Sequence, residues 1–314
     1  MKKILLFILI LPLPYFLKAQ WIEVGTGFTA DLRIQDIEAI DASTAWAVAN
    51  SEDFYSYVET LDFTRTLDGT NWIAGTITNP DAANHSFSNI SAISADEAWV
   101  AMYSITGGGG IFHTADGGIT WEHQTTAKFA APSGFPNVVH MFSTDSGFCM
   151  GDPNGGYFEI YTTIDGGDNW VRVPEVNISP SLSGEVGISE DYWVTGNTIW
   201  FGTQLGRVYK STDKGYTWTA AITGMSLVWD IAFTDENNGI AIDIDEFKIT
   251  ADGGLTWNSA SYTGNPRGFS AEAIPETNTI ITCEWNLLFY FDDEPGSSYS
   301  TDHGTTWIEM DTIQ

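Results

Sequence analysis

The chain has 314 residues, 43% of them hydrophobic and only 17% charged, which is enough apolar material for a large core and excludes a disordered polymer. Its 41 Asp and Glu face 12 Lys and Arg, a net charge of -29, so nucleic acid and anionic membrane surfaces are excluded as general partners. Aromatic residues at 14%, 31 Gly and 2 Cys suit many short strands joined by tight turns rather than a helical protein.

The first twenty residues read as a secretory leader. Lys2 and Lys3 form a basic start, residues 4–17 are apolar but broken by Pro12 and Pro14, and Ala19 offers a small residue for cleavage. The stretch is too short and too interrupted for a transmembrane helix. Cleavage beside Ala19 is expected to leave one domain, 21–314, outside the cytoplasm, with no membrane span in the mature chain. Loss of Lys2, Lys3 and Lys18 takes its net charge to -32.

From there the chain repeats itself. Five octamers share Ser or Thr, any, Asp, any, Gly, any, Thr or Asn, Trp: TADGGITW (114–121), TIDGGDNW (163–170), STDKGYTW (211–218), TADGGLTW (250–257) and STDHGTTW (300–307). A sixth, TLDGTNW (66–72), is one residue short, so its turn should be distorted. The closing tryptophans Trp72, Trp121, Trp170, Trp218, Trp257 and Trp307 are spaced by 49, 49, 48, 39 and 50 residues, a period that fits one four-stranded propeller blade. In each octamer the Asp accepts amides of its own turn, the Gly supplies a positive φ, and the Trp anchors the returning strand. Asp68, Asp116, Asp165, Asp213, Asp252 and Asp302 therefore read as structural.

Phrases ahead of the octamers repeat too, as strand, polar turn, strand: IEAIDASTAWAVAN (37–50), ISAISADEAWVAMY (90–103), VHMFSTDSGFCMGD (139–152) and IAFTDENNGIAID (231–243). With a third strand entering each octamer and a fourth leaving it, the expected fold is all-β: a propeller of six four-stranded antiparallel blades. A seven-bladed ring with an incomplete last blade is the alternative, because residues 21–24 resemble the strand after Trp307.

The octamers resemble the Asp-box, or BNR, repeat. Together with the IAFTDENNGIAI phrase they are similar to the propellers of the photosystem II stability and assembly factor family, over 21–314. Asp-boxes also occur in sialidases, xyloglucanase-type glycoside hydrolases and sortilin-like receptors, so the resemblance implies fold more than activity. A sialidase would need three arginines on the substrate carboxylate and an Arg-Ile-Pro phrase. Here Leu32-Arg33-Ile34-Gln35 lacks the proline, and Arg65 and Arg207 fall in third strands.

Aligning the first strands on Ile40, Ile93, Phe142, Phe233 and Ile274 places Glu38, Ser91, His140, Ile231 and Glu272 two residues upstream. Asp36, Asn89, Val138, Trp229 and Ser270 then stand four upstream. First strands line a propeller's channel, and Arg33 and Arg267 coincide in blades that would be neighbours. Arg33, Arg267, Asp36, His140 and Trp229 are thus the ligand-binding candidates, and Glu38 and Glu272 the carboxylates to consider for glycoside hydrolysis. The bland alternative is a hydrated plug in which each Arg pairs with its own Glu.

Cys149 and Cys283 fall in second strands of opposite blades, too far apart for a disulfide. The acidic clusters at Asp243, Asp245 and Glu246 and at Asp292, Asp293 and Glu294 lack calcium-loop spacing. No zinc spacing, phosphate loop or dinucleotide fingerprint is present, so no metal or cofactor is expected. The leading expectation is a secreted binding or assembly module with a protein or glycan partner. The alternatives are a channel-carboxylate glycoside hydrolase and a structural domain of a longer exported protein.

Overall fold

The computed structural model describes residues 24–51, 60–104, 106–243, 246–267, 270–274, 277–284 and 296–312. The leader, Trp21, Asp245 and the acidic run 292–294 lie outside them.

Six four-stranded sheets follow one another along the chain, each in sequential order. Blade 1 holds β1 (Leu32–Ala39), β2 (Ala45–Ser51), β3 (Asp62–Thr66) and β4 (Trp72–Thr76). Blade 2 holds β5 (His85–Ala92), β6 (Ala98–Ser104), β7 (Gly109–Thr114) and β8 (Glu122–Phe129). Blade 3 holds β9 (Pro136–Met141), β10 (Gly147–Pro153), β11 (Phe158–Thr163) and β12 (Val171–Arg172). Blade 4 holds β13 (Gly187–Thr195), β14 (Thr198–Thr203), β15 (Arg207–Ser211) and β16 (Thr219–Ile222). Blade 5 holds β17 (Asp230–Phe233), β18 (Gly239–Ile242), β19 (Phe247–Thr250) and β20 (Asn258–Ser259). Blade 6 holds β21 (Ser270–Ala273), β22 (Ile280–Glu284), β23 (Gly296–Ser300) and β24 (Ile308–Thr312).

All ladders are antiparallel. First strands β1, β5, β9, β13, β17 and β21 lie one against the next around the axis. Glu38 on β1 feels the charge of Glu272 on β21, which brings blade 6 back to blade 1. The chain is a six-bladed β-propeller.

The octamers make the corners between third and fourth strands. In blade 2 the Asp116 carboxylate accepts from Thr120 N (2.9 Å), Thr114 Oγ1 (2.9 Å) and Thr120 Oγ1 (2.6 Å), while Gly118 N donates to Thr114 Oγ1 (2.9 Å). Gly118 has φ +84°, and a Cβ there would stand 2.3 Å from the Phe63 ring of blade 1, so glycine is required twice over. Blades 3, 4, 5 and 6 repeat the Gly N to Ser or Thr oxygen bond at 2.9 Å. The short octamer of blade 1 differs: Thr66 Oγ1 reaches Asp68 only at 3.3 Å, and the Asp68 carboxylate takes the amides of Thr70 and Asn71, two and three residues on. Hydrogen bonds from the following Thr or Asn side chain hold Asp116, Asp165 and Asp252 below the usual carboxylate range.

The apolar core lies between blades. One cluster joins blades 1 and 2, and others join 2 to 3, 3 to 4, 4 to 5 and 5 to 6. Trp46, Trp99 and Trp200, outside the octamers, are fully buried second-strand residues. Each also donates its Nε1–H to a carbonyl of the next blade: Ser94 O (2.9 Å), Gly166 O (3.0 Å) and Gly253 O (2.9 Å). Cys149 is buried and Cys283 half-buried, and both thiols are free.

Trp200→Ala removes the indole between blades 4 and 5 and is expected to cost about 3–5 kcal/mol in urea unfolding. Asp213→Ala, which removes the acceptor of Thr217 N (2.8 Å) and Ser211 Oγ (2.8 Å), should cost about 1–2 kcal/mol. Equal costs would mean the corners hold the ring as strongly as the seams.

Candidate functional site

The innermost strand of each blade is an edge that faces the axis, so alternate amides on it lack a ladder partner and need another acceptor. The preceding blade provides one. Asp36 Oδ2 accepts from Ile90 N of blade 2 (2.8 Å), while its Oδ1 takes its neighbour Ile37 N (2.7 Å). Asp230 repeats this between blades 5 and 6, accepting Ala271 N and Ile231 N, each at 2.8 Å. Asn89 accepts Val139 N (2.8 Å) and donates to Val139 O (3.0 Å) from blade 2 to blade 3. From blade 3 to blade 4 the acceptor is Asp152 on β10, which takes Gly187 N (3.0 Å). Asp191 turns its buried carboxylate toward the Gly202 and Ile231 amides, without a bond of full geometry.

These acids crowd the channel with Glu38, Glu190 and Glu272, and the packing around them raises them all, Glu272 included although it is exposed. Burial first, then the charges of Asp36 and Glu272, pushes Glu38 up to about 8. Burial, then Asp230 and Asp36, does the same for Glu272. Asp36 and Asp230 rise only to about 6, because the amides they accept oppose burial. Glu190 is raised by burial and by Asp36, against a hydrogen bond from Gln35 and the nearby Arg33 charge. His140 is pushed down to about 4 by burial, and its Nδ1 lies 3.2 Å from the Tyr192 hydroxyl. Burial and like-charge crowding thus favour the protonated forms of Glu38 and Glu272, and burial favours the neutral form of His140.

The structure brings Asp36, Glu38 and Glu272 into one electrostatic group, but does not gather the full expected set. Arg33 donates to Gln35 Oε1 (3.2 Å). Arg267 is engaged by Glu309 (3.4 Å) on β24, the outermost strand of its own blade, and the charges acting on Glu38 and Glu272 are those of carboxylates.

Trp229 calls for a correction. Its position four before Phe233 rests on a register one residue early. In the hairpin turn Ile40 N donates to Thr44 O and Phe142 N to Ser146 O, and in blade 5 the residue that does so is Thr234, to Asn238 O. Asp230 is thus the partner of Asp36 in the repeat, and Trp229, 38% exposed, stands one residue before it. The Asp-Ile dipeptides at 36–37 and 230–231 were the available signal.

Sequence reasoning also missed Glu190, Asp191 and Tyr192, because β13 matches no other first-strand phrase. Its ladder with β14 jumps from Gly187 to Tyr192, and Glu190 adopts φ +65°. Among the described residues no group of three or more His, Cys, Asp or Glu is arranged to hold a metal ion.

Acids whose folded pKa lies above the unfolded value stabilise the fold fully below the unfolded pKa and lose that contribution as pH rises through the folded one. His140, depressed to about 4, acts in the opposite sense only between about 6.5 and 4. Melting temperature should therefore fall between pH 6.5 and 8.5. Glu38→Gln with Glu272→Gln should flatten the slope and raise the midpoint at pH 8.5 by at least ~2 °C in calorimetry; a flat wild-type profile would refute the assignment.

Residues 103–226 match a family model described as photosynthesis system II assembly factor YCF48. No curated protein matches the sequence significantly. Among solved structures, YCF48 bound to a D1 peptide is 19% identical, covering 76% of this chain and 84% of that chain, with a TM-score of 0.38. The GH74 xyloglucanase of Xanthomonas campestris is 11% identical over 90% of this chain and 50% of that chain, with a TM-score of 0.39. U3-55K is 8% identical over 90% and 82%, with a TM-score of 0.61. At that identity the U3-55K likeness is one of fold alone, and the low TM-scores of the other two carry no argument. The chain is a BNR-type β-propeller resembling the photosystem II assembly factor.

Proposed function

We propose that this propeller is an exported, non-catalytic binding or assembly module that presents a rigid face to a protein partner. The observation that carries the reading is how the channel carboxylates are engaged. Asp36 and Asp230 accept amides of their own and the following blade, and so serve as ring fasteners. Glu38 and Glu272 shift in the same direction and to the same extent. Glycoside hydrolysis needs two carboxyl groups whose environments separate their pKa values, one protonated as acid and one ionised as base or nucleophile. Glu38 and Glu272 are both raised, and the lower acids beside them, Asp36 and Asp230, have both carboxylate oxygens taken by backbone amides and so are not free to act as base or nucleophile. The family matched over 103–226 is one of assembly factors, which favours a protein over a glycan as partner. Export rests on the leader at 1–20, and the domain proper is 21–314.

Purified 21–314 is expected to release no reducing sugar from xyloglucan or sialyllactose above the Glu38→Gln, Glu272→Gln double variant, and to bind discrete members of a peptide array that the double variant also binds. Hydrolysis abolished by the double variant would overturn the reading. Amino-terminal sequencing of the exported protein should begin at Gln20 or Trp21; retention of residues 1–19 would remove the export step alone.

A further inference from the structure

At four of the octamer tryptophans, Trp121, Trp170, Trp218 and Trp307, the seam between blades is bridged at the main chain, and at Trp257, among the described residues, it is not. Between blades 3 and 4 the chain leaving β12 runs parallel beside Trp218: Trp218 N donates to Asn177 O (2.7 Å) and Ser179 N to Trp218 O (3.1 Å). Between blades 5 and 6 the chain leaving β20 does the same, Trp307 N donating to Thr263 O (2.8 Å) and Thr263 N to Thr305 O (3.0 Å). Side chains make the link elsewhere, Asn79 Nδ2 donating to Trp121 O (2.9 Å) and Trp170 N to Thr126 Oγ1 (2.8 Å). After β16 the chain instead folds back over its own blade, Thr223 donating its N–H (3.0 Å) and hydroxyl (2.7 Å) to Gly206 O. Among the described residues no bridge reaches the main chain of Trp257.

What remains is a groove of about 360 Å³ across the seam of blades 4 and 5, lined by Val208, Lys210, Ala220, Ala221, Ile222 and Leu255. Ala221 pairs with Val208 where Gln124 pairs with Ile111 in blade 2. Gln124 fills its seam, bonding Gly166 O and Trp170 Nε1, and alanine cannot. Trp257 is accordingly half-buried, whereas Trp121, Trp170, Trp218 and Trp307 are buried. Ile222 and Leu255 flank the groove at 75% and 66% exposure. Lys210 places its ammonium 5.3 Å over the Trp200 ring, within the field of Glu236 and Asp252 but without a direct ion pair among the described residues.

We infer that this groove takes an extended peptide from a partner protein, running parallel to the chain at Trp257, with an apolar side chain over Ala221 and a carboxylate toward Lys210. The chain shows the bound form twice within itself, at Asn177–Ser179 and at Thr263, and an added segment would supply the missing main-chain partner of Trp257. Lys210, the one charged side chain among the described residues lining the groove, favours an acidic segment over a basic one against the overall negative charge of the chain. This inference rests on the binding-module reading and adds its site.

The probe is a fluorescein-labelled peptide copying residues 174–181, which includes Glu175, Val176 and Ile178. Anisotropy should show saturable binding to 21–314, weakened at least tenfold by Ala221→Trp, which fills the groove, and by Lys210→Glu. Replacing the peptide's Glu by Lys should weaken wild-type binding and restore part of it with Lys210→Glu. Ile222→Glu, a change to an exposed edge residue, serves as a second block where Ala221→Trp does not fold. No binding by wild type, or binding unchanged in these variants, overturns the inference. Dimerisation in sedimentation that Ala221→Trp abolishes overturns it too, in favour of a second copy. Peptide-array binding that survives Ala221→Trp leaves the module reading standing and removes only this site.

Discussion

The hydrogen bond from a first-strand amide to an acid of the preceding blade is what the rest of the molecule is arranged around. A propeller leaves the channel edge of every sheet with unpaired N–H groups, and a buried unpaired amide costs about 1–3 kcal/mol. Asp36, Asp152 and Asp230, with Asn89 in the same role, meet that need from next door, so the blades are held by polar bonds inside and by apolar clusters farther out. The consequence is a crowded ring of carboxylates. Glu38, Glu190 and Glu272 stand within that ring, and partial burial together with the like charges of their neighbours raises all three.

A channel of this kind is well suited to rigidity. The repeat raises Glu38 and Glu272 alike, and it commits the lower acids beside them, Asp36 and Asp230, to backbone amides. The net charge of the chain, which at first sight promises an anionic pore, is in part neutralised at its axis and kept on the rim, where the octamer aspartates stay ionised through their own turns. Charge repulsion then acts at the surface, favouring solubility, and not across the ring.

What was legible in the sequence was whatever is decided within eight residues. The Asp, Gly and Trp of each octamer close a turn by local bonds, so their spacing points to six blades and their strand order, with a seventh left open until the sheets are seen, and even the missing residue before Trp72 appears as a rearranged Asp68 turn. The channel was legible only where its strands keep register. Glu38, Asp36 and Glu272 keep a fixed offset from their hairpin turns, so aligning the turns places them on first strands. Glu190, Asp191 and Tyr192 follow a bulge at positive φ that breaks the alternation, and Asp230 was displaced by one residue because Phe233 was taken for the turn position that Thr234 holds. The groove was illegible for a different reason: Ala221 reads as an ordinary strand residue, and its meaning appears only beside the Gln124 seam that it fails to imitate.

The two incompletely filled seams differ in kind, and the difference bears on which can bind. Where blade 6 meets blade 1, Ile37 is 56% exposed, although its counterparts Ile90, Val139 and Ile231 are buried, and no apolar cluster joins the two blades among the described residues. The seam of blades 4 and 5 keeps its inner fastenings: Trp200 spans it with a hydrogen bond to Gly253 O, stacks on Phe233 at 3.9 Å between ring centroids, and belongs to a buried cluster with Val208 and Ile231. Only the outer layer is absent there, because Ala221 is small and the linker turns back at Thr223. Its walls are therefore fixed before anything arrives, and a segment entering it orders itself without having to order the protein, the condition under which a shallow groove gains useful affinity.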